Sequence, residues 1–283
     1  MSCSITQPYL NGTMRILLLR HGQAMHNPRA EAARASGCSH DTFMQLMKED
    51  DVFDAPLTNL GSSQALVAAE THRDMLLQGG KMGEGIDLVV SSPLTRALRT
   101  ADLLFPHLPT NNAERICIEE FREINGLLAN ARRRETSELQ QTFPHWDFSR
   151  VPDGHDNAWS SESLEDFGIS AERGYTGLLR LIAERRRKNT ERNCEVTGDG
   201  IKSDGDVMNG AMLVVSHGGI LRYTMERHPL VNVTSDGARR FENCELREYE
   251  MTWVHGSNVN KSEGDSSWRP EITLTEITTT TVN

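Results

Sequence analysis

The chain predicts an α/β fold on a mostly parallel sheet, and three observations carry that expectation. Short apolar-rich runs at Ile16–Leu19, Ile86–Val90 and Met212–Ser216 are bounded by turn-formers. They are too short for helices and too apolar for half-exposed strands, so they read as strands buried on both faces. Each run ends abruptly in polar residues, and stretches with helical apolar spacing lie between the runs.

Taken in order, the first strand ends at Arg20-His21-Gly22. Gly22 lets the backbone turn sharply, or lets a ligand approach closely, because it has no Cβ. Pro28 to Asp51 is rich in alanine and charge, with weak helical character around Phe43 to Met47, and reads as an excursion over the active-site face. Asp54-Ala-Pro-Leu-Thr58-Asn-Leu-Gly61 starts a helix, with Thr58 as N-cap and Gly79-Gly80 as stop. Its role is to seat a helix, without chemistry. The second strand leads into Ser91-Ser-Pro-Leu-Thr-Arg96 and a helix reaching about Phe105. Ile116 to Ile118 is a short third strand.

From Glu119 to Trp159 the pattern is irregular, broken by Pro144, Pro152 and Gly154, and expected to form a lid or substrate-selecting cap. Ser163 is expected to begin a long helix by a capping-box-like start with Asp166. The run Arg185-Arg-Arg-Lys188 is expected to close it, cations being favoured at a helix carboxyl end. Asn189 to Gly210 reads as a disordered insertion, and Gly256 to Ser267 as a flexible loop. Phe241 to Val254 and Glu271 to Thr280 have the alternation of edge strands.

The chain has 283 residues, enough for a sizeable core. Its 37% hydrophobic and 25% charged content and mean hydropathy of -0.50 are those of a water-soluble protein. A net charge of -10 and a pI near 5.5 argue against general nucleic-acid or anionic-membrane binding, which needs a basic face. A small anionic substrate stays compatible, since a local cationic pocket dominates at short range. Five scattered cysteines without a C-x-x-C imply a reducing compartment and neither disulfides nor a metal site. The first ten residues lack a signal-peptide pattern and no stretch approaches transmembrane length, so the cytoplasm is the expected location.

The chemistry concentrates at three strand-to-helix junctions. Parallel strands side by side would bring His21 and His217, the latter in Ser216-His217-Gly218, to one edge of the sheet, and Ser-Pro-Leu-Thr-Arg supplies Arg96. Two guanidinium and two imidazole groups suit a phosphoryl group with charge on three oxygens. The arginines disfavour protonation of His21 and keep it a neutral nucleophile. Glu123 in Phe121-Arg-Glu123 is the candidate acid for a leaving alkoxide, then the base for water. His26, His72, His107 and His145 receive no role. The sequence has no P-loop, H-E-x-x-H or EF-hand, and no cofactor or metal is expected.

Leu18-Leu-Arg-His-Gly-Gln-Ala-Met-His-Asn27 resembles the opening motif of the histidine phosphatase (phosphoglycerate mutase-like) superfamily, strand-R-H-G-x-x-x-x-N. Ser91 to Arg96, Phe121 to Glu123 and Ser216 to Gly218 continue the match in family order, from about Met14 to Tyr249. The resemblance implies a three-layer α/β/α sandwich at 14–254, with a loop-rich cap at 119–162, a flexible insertion at 189–210 and terminal extensions at 1–13 and 255–283. It implies His21 as nucleophile, Glu123 as proton donor, and Arg20, Asn27, Arg96 and His217 as phosphate contacts, with no metal. True mutases carry a pattern resembling L-N-E-R-H-Y-G after the acid. Here Phe-Arg-Glu-Ile-Asn-Gly126 and Thr142 to Ser149 look more like the mutase-like phosphatases of plants, fungi and protozoa. The expected activity is metal-independent hydrolysis of a small phosphomonoester through phosphohistidine. The alternatives are mutase-type transfer and a non-catalytic protein that binds phosphorylated ligands. Arg132, Arg133 and Arg134 hint at contacts to further anionic groups. The sequence names neither the substrate nor the oligomeric state.

Overall fold

The computed structural model describes residues 11–78, 85–104, 113–196, 210–234, 238–254 and 269–277, with side chains through residue 191 in the third stretch. Eight strands there form one sheet: β1 (Gly12–Arg20), β2 (Ile86–Ser91), β3 (Glu114–Ile118), β4 (Asp147–Arg150), β5 (Ala211–Ser216), β6 (Val231–Thr234), β7 (Leu246–Val254) and β8 (Glu271–Glu276). Their order is β4-β3-β2-β5-β1-β7-β8-β6. The half from β4 to β1 is parallel, while β7 runs antiparallel to both β1 and β8. Two apolar clusters sandwich the sheet, as alternation along buried strands requires. Leu17, Leu19, Leu213 and Val215 pack on Ala65 and Ala69 of α3 (Asn59–Thr71) and Leu98 and Ala101 of α5 (Thr95–Leu104). Ile16, Leu18, Met212 and Val214 face Tyr175, Leu178 and Ile182 of α7 (Phe167–Val196) and Leu221 and Met225 of α8 (Gly218–Arg227). The result is the expected three-layer α/β/α sandwich.

Pro28 to Asp51 holds two helices, α1 (Pro28–Ala35) and α2 (His40–Glu49). Thr58 caps α3 as expected, its hydroxyl accepting from Gly61 N at 2.9 Å. The helix breaks at His72 and resumes as α4 (Arg73–Gln78), while Gly79-Gly80 lies outside the described residues. The 119–162 stretch is not all irregular. It has 3-10 turns at Glu119–Phe121 and Ala129–Ala131, then α6 (Thr136–Thr142) and β4, which extends the sheet beside β3.

Several boundaries differ from expectation. α7 starts at Phe167, not Ser163, because Asp166 Oδ1 itself accepts from Gly168 N and Ile169 N at 2.8 and 3.2 Å, which is where the free N–H groups begin. Arg185 to Lys188 does not close α7, which continues to Val196. That run is anchored sideways to the sheet: Arg185 to Asp87 at 2.7 Å, Arg187 to Glu114 at 2.6 Å and Lys188 to Glu114 at 3.1 Å. Residues 189–196 of the expected insertion are therefore helical, and 197–209 lie outside the described residues, as do His107 and Gly256 to Ser267. β7 and β8 are interior strands. The edge on that side is the four-residue β6, parallel to β8.

Cys38, Cys117 and Cys244 are free thiols. Among the described residues no helix is long and apolar enough to cross a membrane, and no group of three or more His, Cys, Asp or Glu could hold a metal ion.

Candidate active site

Sheet register brings the motifs together. Arg20 pairs with Ser216 and Val215 with Ser91, so the next residues on β1, β5 and β2 are His21, His217 and Ser92, side by side at the carboxyl edge. His21 N donates to Ser216 O and Ser92 N to Val215 O, both at 3.0 Å. The imidazole rings of His21 and His217 lie edge to face, centroids 4.9 Å apart. His217 Nε2 is 2.8 Å from Ser92 Oγ. With the hydroxyl donating to Nε2, Nδ1 of His217 is left as an N–H donor.

His21 Nδ1 lies 2.6 Å from the carbonyl of Gly22. A carbonyl only accepts, so Nδ1 carries the proton and Nε2 the lone pair. Arg96 Nε–H donates to that lone pair at 3.2 Å. Gly22 serves packing against a neighbouring helix, with no ligand required to explain it. A Cβ there would collide with the carbonyl of Gly61, and one at Gly61 with that of Gln23. The loop after β1 thus lies backbone to backbone on the first turn of α3.

Arg96, fully buried in the first turn of α5, also donates through NH1 to Asn130 O at 2.6 Å. Asp54 seats that turn. Its Oδ1 accepts from Thr95 N at 2.9 Å, and Oδ2 accepts from the Thr95 hydroxyl and from Arg134 Nε. Asp54 adopts a left-handed backbone, φ 42°, to do so. The Asp54 to Gly61 motif therefore seats two helices, α5 through Asp54 and α3 through Thr58.

Arg20 donates through NH1 to Phe241 O at 3.0 Å and through NH2 to Glu31 Oε1 at 2.6 Å. Arg20 Nε, Arg96 NH2, His217 Nδ1 and His26 Nδ1 are buried without a hydrogen-bond partner among the described residues. Unpaired buried donors are costly, and the free N–H groups of Arg20, Arg96 and His217 beside His21 match an anion's needs. Burial, then the charges of Arg96 and Arg20, hold His21 and His26 well below the ordinary histidine value of 6.5. His217 is lowered in the same direction by burial, then Arg96, then the two histidines. Burial brings Arg96 down to about 10, which leaves it a cation at neutral pH.

Glu123 stands at the amino end of α8, accepting from Ile124 N and Ile220 N at 3.0 Å and Gly219 N at 3.3 Å. Asn27 closes the turn before α1, its Oδ1 accepting from Ala24 N at 3.0 Å. A cavity of about 380 Å³ opens here, lined at its inner end by Arg20, His21, His26, Asn27 and Glu123. Arg96 and His217 are fully buried and do not line it. None of Arg132, Arg133 and Arg134 lines it either. Arg133 is buried against Glu119 and the Pro152 and Gly154 carbonyls, Arg134 pairs with Asp54, and Arg132 lies over Trp159. Sequence reasoning missed His26 and Glu31. The only signal for either was position inside or just after the first motif.

The chain is 29% identical over 262 residues to phosphoglycerate mutase-like protein 1 of Arabidopsis thaliana, covering 82% of this chain and 79% of that one. A phosphoglycerate mutase-like protein from the same plant is 23% identical, with 90% of each chain covered. Among solved structures, the ecdysone phosphate phosphatase of Bombix mori superposes with a TM-score of 0.48 at 16% identity, over 90% of this chain and 98% of that one. The model of the histidine phosphatase superfamily (branch 1) matches residues 16–261, most of the chain, and with this the chain belongs to that superfamily.

Proposed function

We propose that the protein is a phosphomonoesterase that works through a phosphohistidine on His21. The observation that carries this reading is the neutral His21 Nε2 lone pair among buried, unpartnered donors of Arg20, Arg96 and His217. Arg96 does not line the cavity at rest, so a phosphoryl group that reaches His21 at the inner end turns the buried guanidinium off Nε2 and onto its own oxygens, which frees the lone pair. Nε2 then attacks phosphorus, the P–O ester bond breaks, and the leaving alkoxide takes a proton from the Glu123 carboxyl. Water attacks the phosphohistidine next. Its proton passes to the Glu123 carboxylate, the N–P bond breaks, and inorganic phosphate forms with His21 restored. Arg20, Arg96 and His217 hold the phosphoryl oxygens through both displacements. Asn27 and His26 complete the inner wall.

Rapid acid-free quenching of turnover with ³²P-labelled substrate tests this. The expected result is base-stable, acid-labile label on the protein, with label and turnover both abolished by His21→Ala. Label surviving in His21→Ala would overturn the assignment. Faster isomerisation of phosphoglycerate than release of inorganic phosphate would make the protein a mutase instead.

A further inference from the structure

α2 is amphipathic, with Phe43, Met44 and Met47 on one side, yet not one of its residues is fully buried. An amphipathic helix ordinarily turns its apolar stripe onto the core. Here those three side chains line the outer part of the cavity. The facing wall is apolar as well. Phe167 at the start of α7 and Tyr223 of α8 stack with ring centroids 4.4 Å apart and planes at 18°, and Leu164 lines the same cavity. Cations at the rim have protein partners: Arg34 lies over the Phe43 ring at 3.3 Å, and Arg222 pairs with Glu226 at 2.7 Å. At about 380 Å³ the cavity is in the range of whole-ligand pockets, about 300–1,000 Å³, and far exceeds a phosphoryl group.

We propose that the cavity selects phosphomonoesters of bulky apolar alcohols, whose leaving group lies between the α2 face and the Phe167–Tyr223 stack. This rests on the phosphatase reading above. The phosphoryl group takes the inner, cationic end. The leaving group supplies the apolar surface that α2 would otherwise have found in a core. The two methionines, being unbranched and polarizable, fit several shapes, so the selection is for size and apolarity more than for one outline.

The test is kcat/KM on esters of primary alcohols with similar leaving groups: ethyl, hexyl and 2-phenylethyl phosphate, with glycerol 3-phosphate and 3-phosphoglycerate as polar counterparts. p-Nitrophenyl phosphate reports separately on the phosphatase reading. Each buried methylene is worth about fourfold, so hexyl and 2-phenylethyl phosphate are expected to exceed ethyl phosphate at least tenfold, and the polar esters to fall below it. The double variant Met44→Gln/Met47→Gln should bring the hexyl-to-ethyl ratio toward one, as should Phe167→Ala. The two walls belong to different helices, so misfolding of one variant leaves the other to decide. A hexyl-to-ethyl ratio near one in the unmutated protein would overturn the proposal, as would an unchanged ratio in a folded variant. A preference for 3-phosphoglycerate would overturn it too and point to a second anion site at Arg240, the remaining cation of the wall. No turnover of p-nitrophenyl phosphate would remove the phosphatase reading itself.

Discussion

Three buried histidines that stay neutral give the site a measurable pH signature. His21, His26 and His217 are all held well below 6.5 by burial and by nearby arginines. Their imidazole resonances are expected not to titrate between pH 8 and 6. A midpoint at 6.5 for His21 would contradict the arrangement. Stability follows the same shift. Below about 6.5 the unfolded chain binds protons that the folded chain does not, so stability is full above that pH and is lost as pH falls toward the folded values. Thermal midpoints measured from pH 7.5 down should therefore decline from about 6.5, and His26→Gln should soften the decline. His26 is the residue least legible in the sequence. Only its place among the variable positions of the first motif sets it apart from other histidines, until the turn closed by Asn27 folds it into the inner wall.

Elements position the site through backbone contacts as much as through side chains. The R-H-G loop rests on the first turn of α3 at Gly22 and Gly61, where neither residue has room for a Cβ. Gly61→Ala is expected to cost about 1–3 kcal/mol by overpacking and to displace the loop that carries His21. Denaturant unfolding and kcat should both show it, and a stable, fully active Gly61→Ala would refute the contact. The helix-seating role of the Asp54 to Gly61 stretch was readable from Thr58, a good N-cap three residues before Gly61. Its second role was not, because Asp54 caps a helix that begins 41 residues later. The buried strands β1, β2 and β5 were legible for a physical reason: both faces are covered, so each carries an unbroken apolar run, Ile16 to Leu19, Leu88 to Val90 and Ala211 to Val215. β4 and β6 are four residues long at the sheet edges, too short for the alternation in Val231-Asn-Val-Thr234 or the mixed Asp147-Phe-Ser-Arg150 to mark a strand. The end of α7 was misplaced because Arg185 to Lys188 looks like a helix-terminal cation run. The acids it answers are Asp87 and Glu114, supplied by strands distant in sequence.

On the scale of the whole molecule, the parallel half of the sheet ends at β1, where the single antiparallel strand β7 joins it, and the sequence-derived site sits at that seam. Candidates come from β1, β5, α5 and the segment after β3, which explains why motifs spread over most of the chain converge on one cavity. The convergence was legible because strand register alone brings His21 and His217 together. The outer cavity was not, since α2 reads as a weak helix and its apolar residues could as well have faced a core. A bond network also crosses the seam: Glu31 of α1 accepts from Arg20 at 2.6 Å and from Asn243, just before β7, at 3.0 Å. In the cycle proposed above, Arg20 meets an incoming phosphoryl group with part of its charge already answered by Glu31, and a clamp restrained in this way lets go of inorganic phosphate sooner. Glu31→Gln is expected to tighten product inhibition by phosphate several-fold and to slow steady-state turnover, with the burst of phosphohistidine formation kept. Unchanged inhibition in that variant would mean that the carboxylate only holds the seam together and sets no pace for product departure.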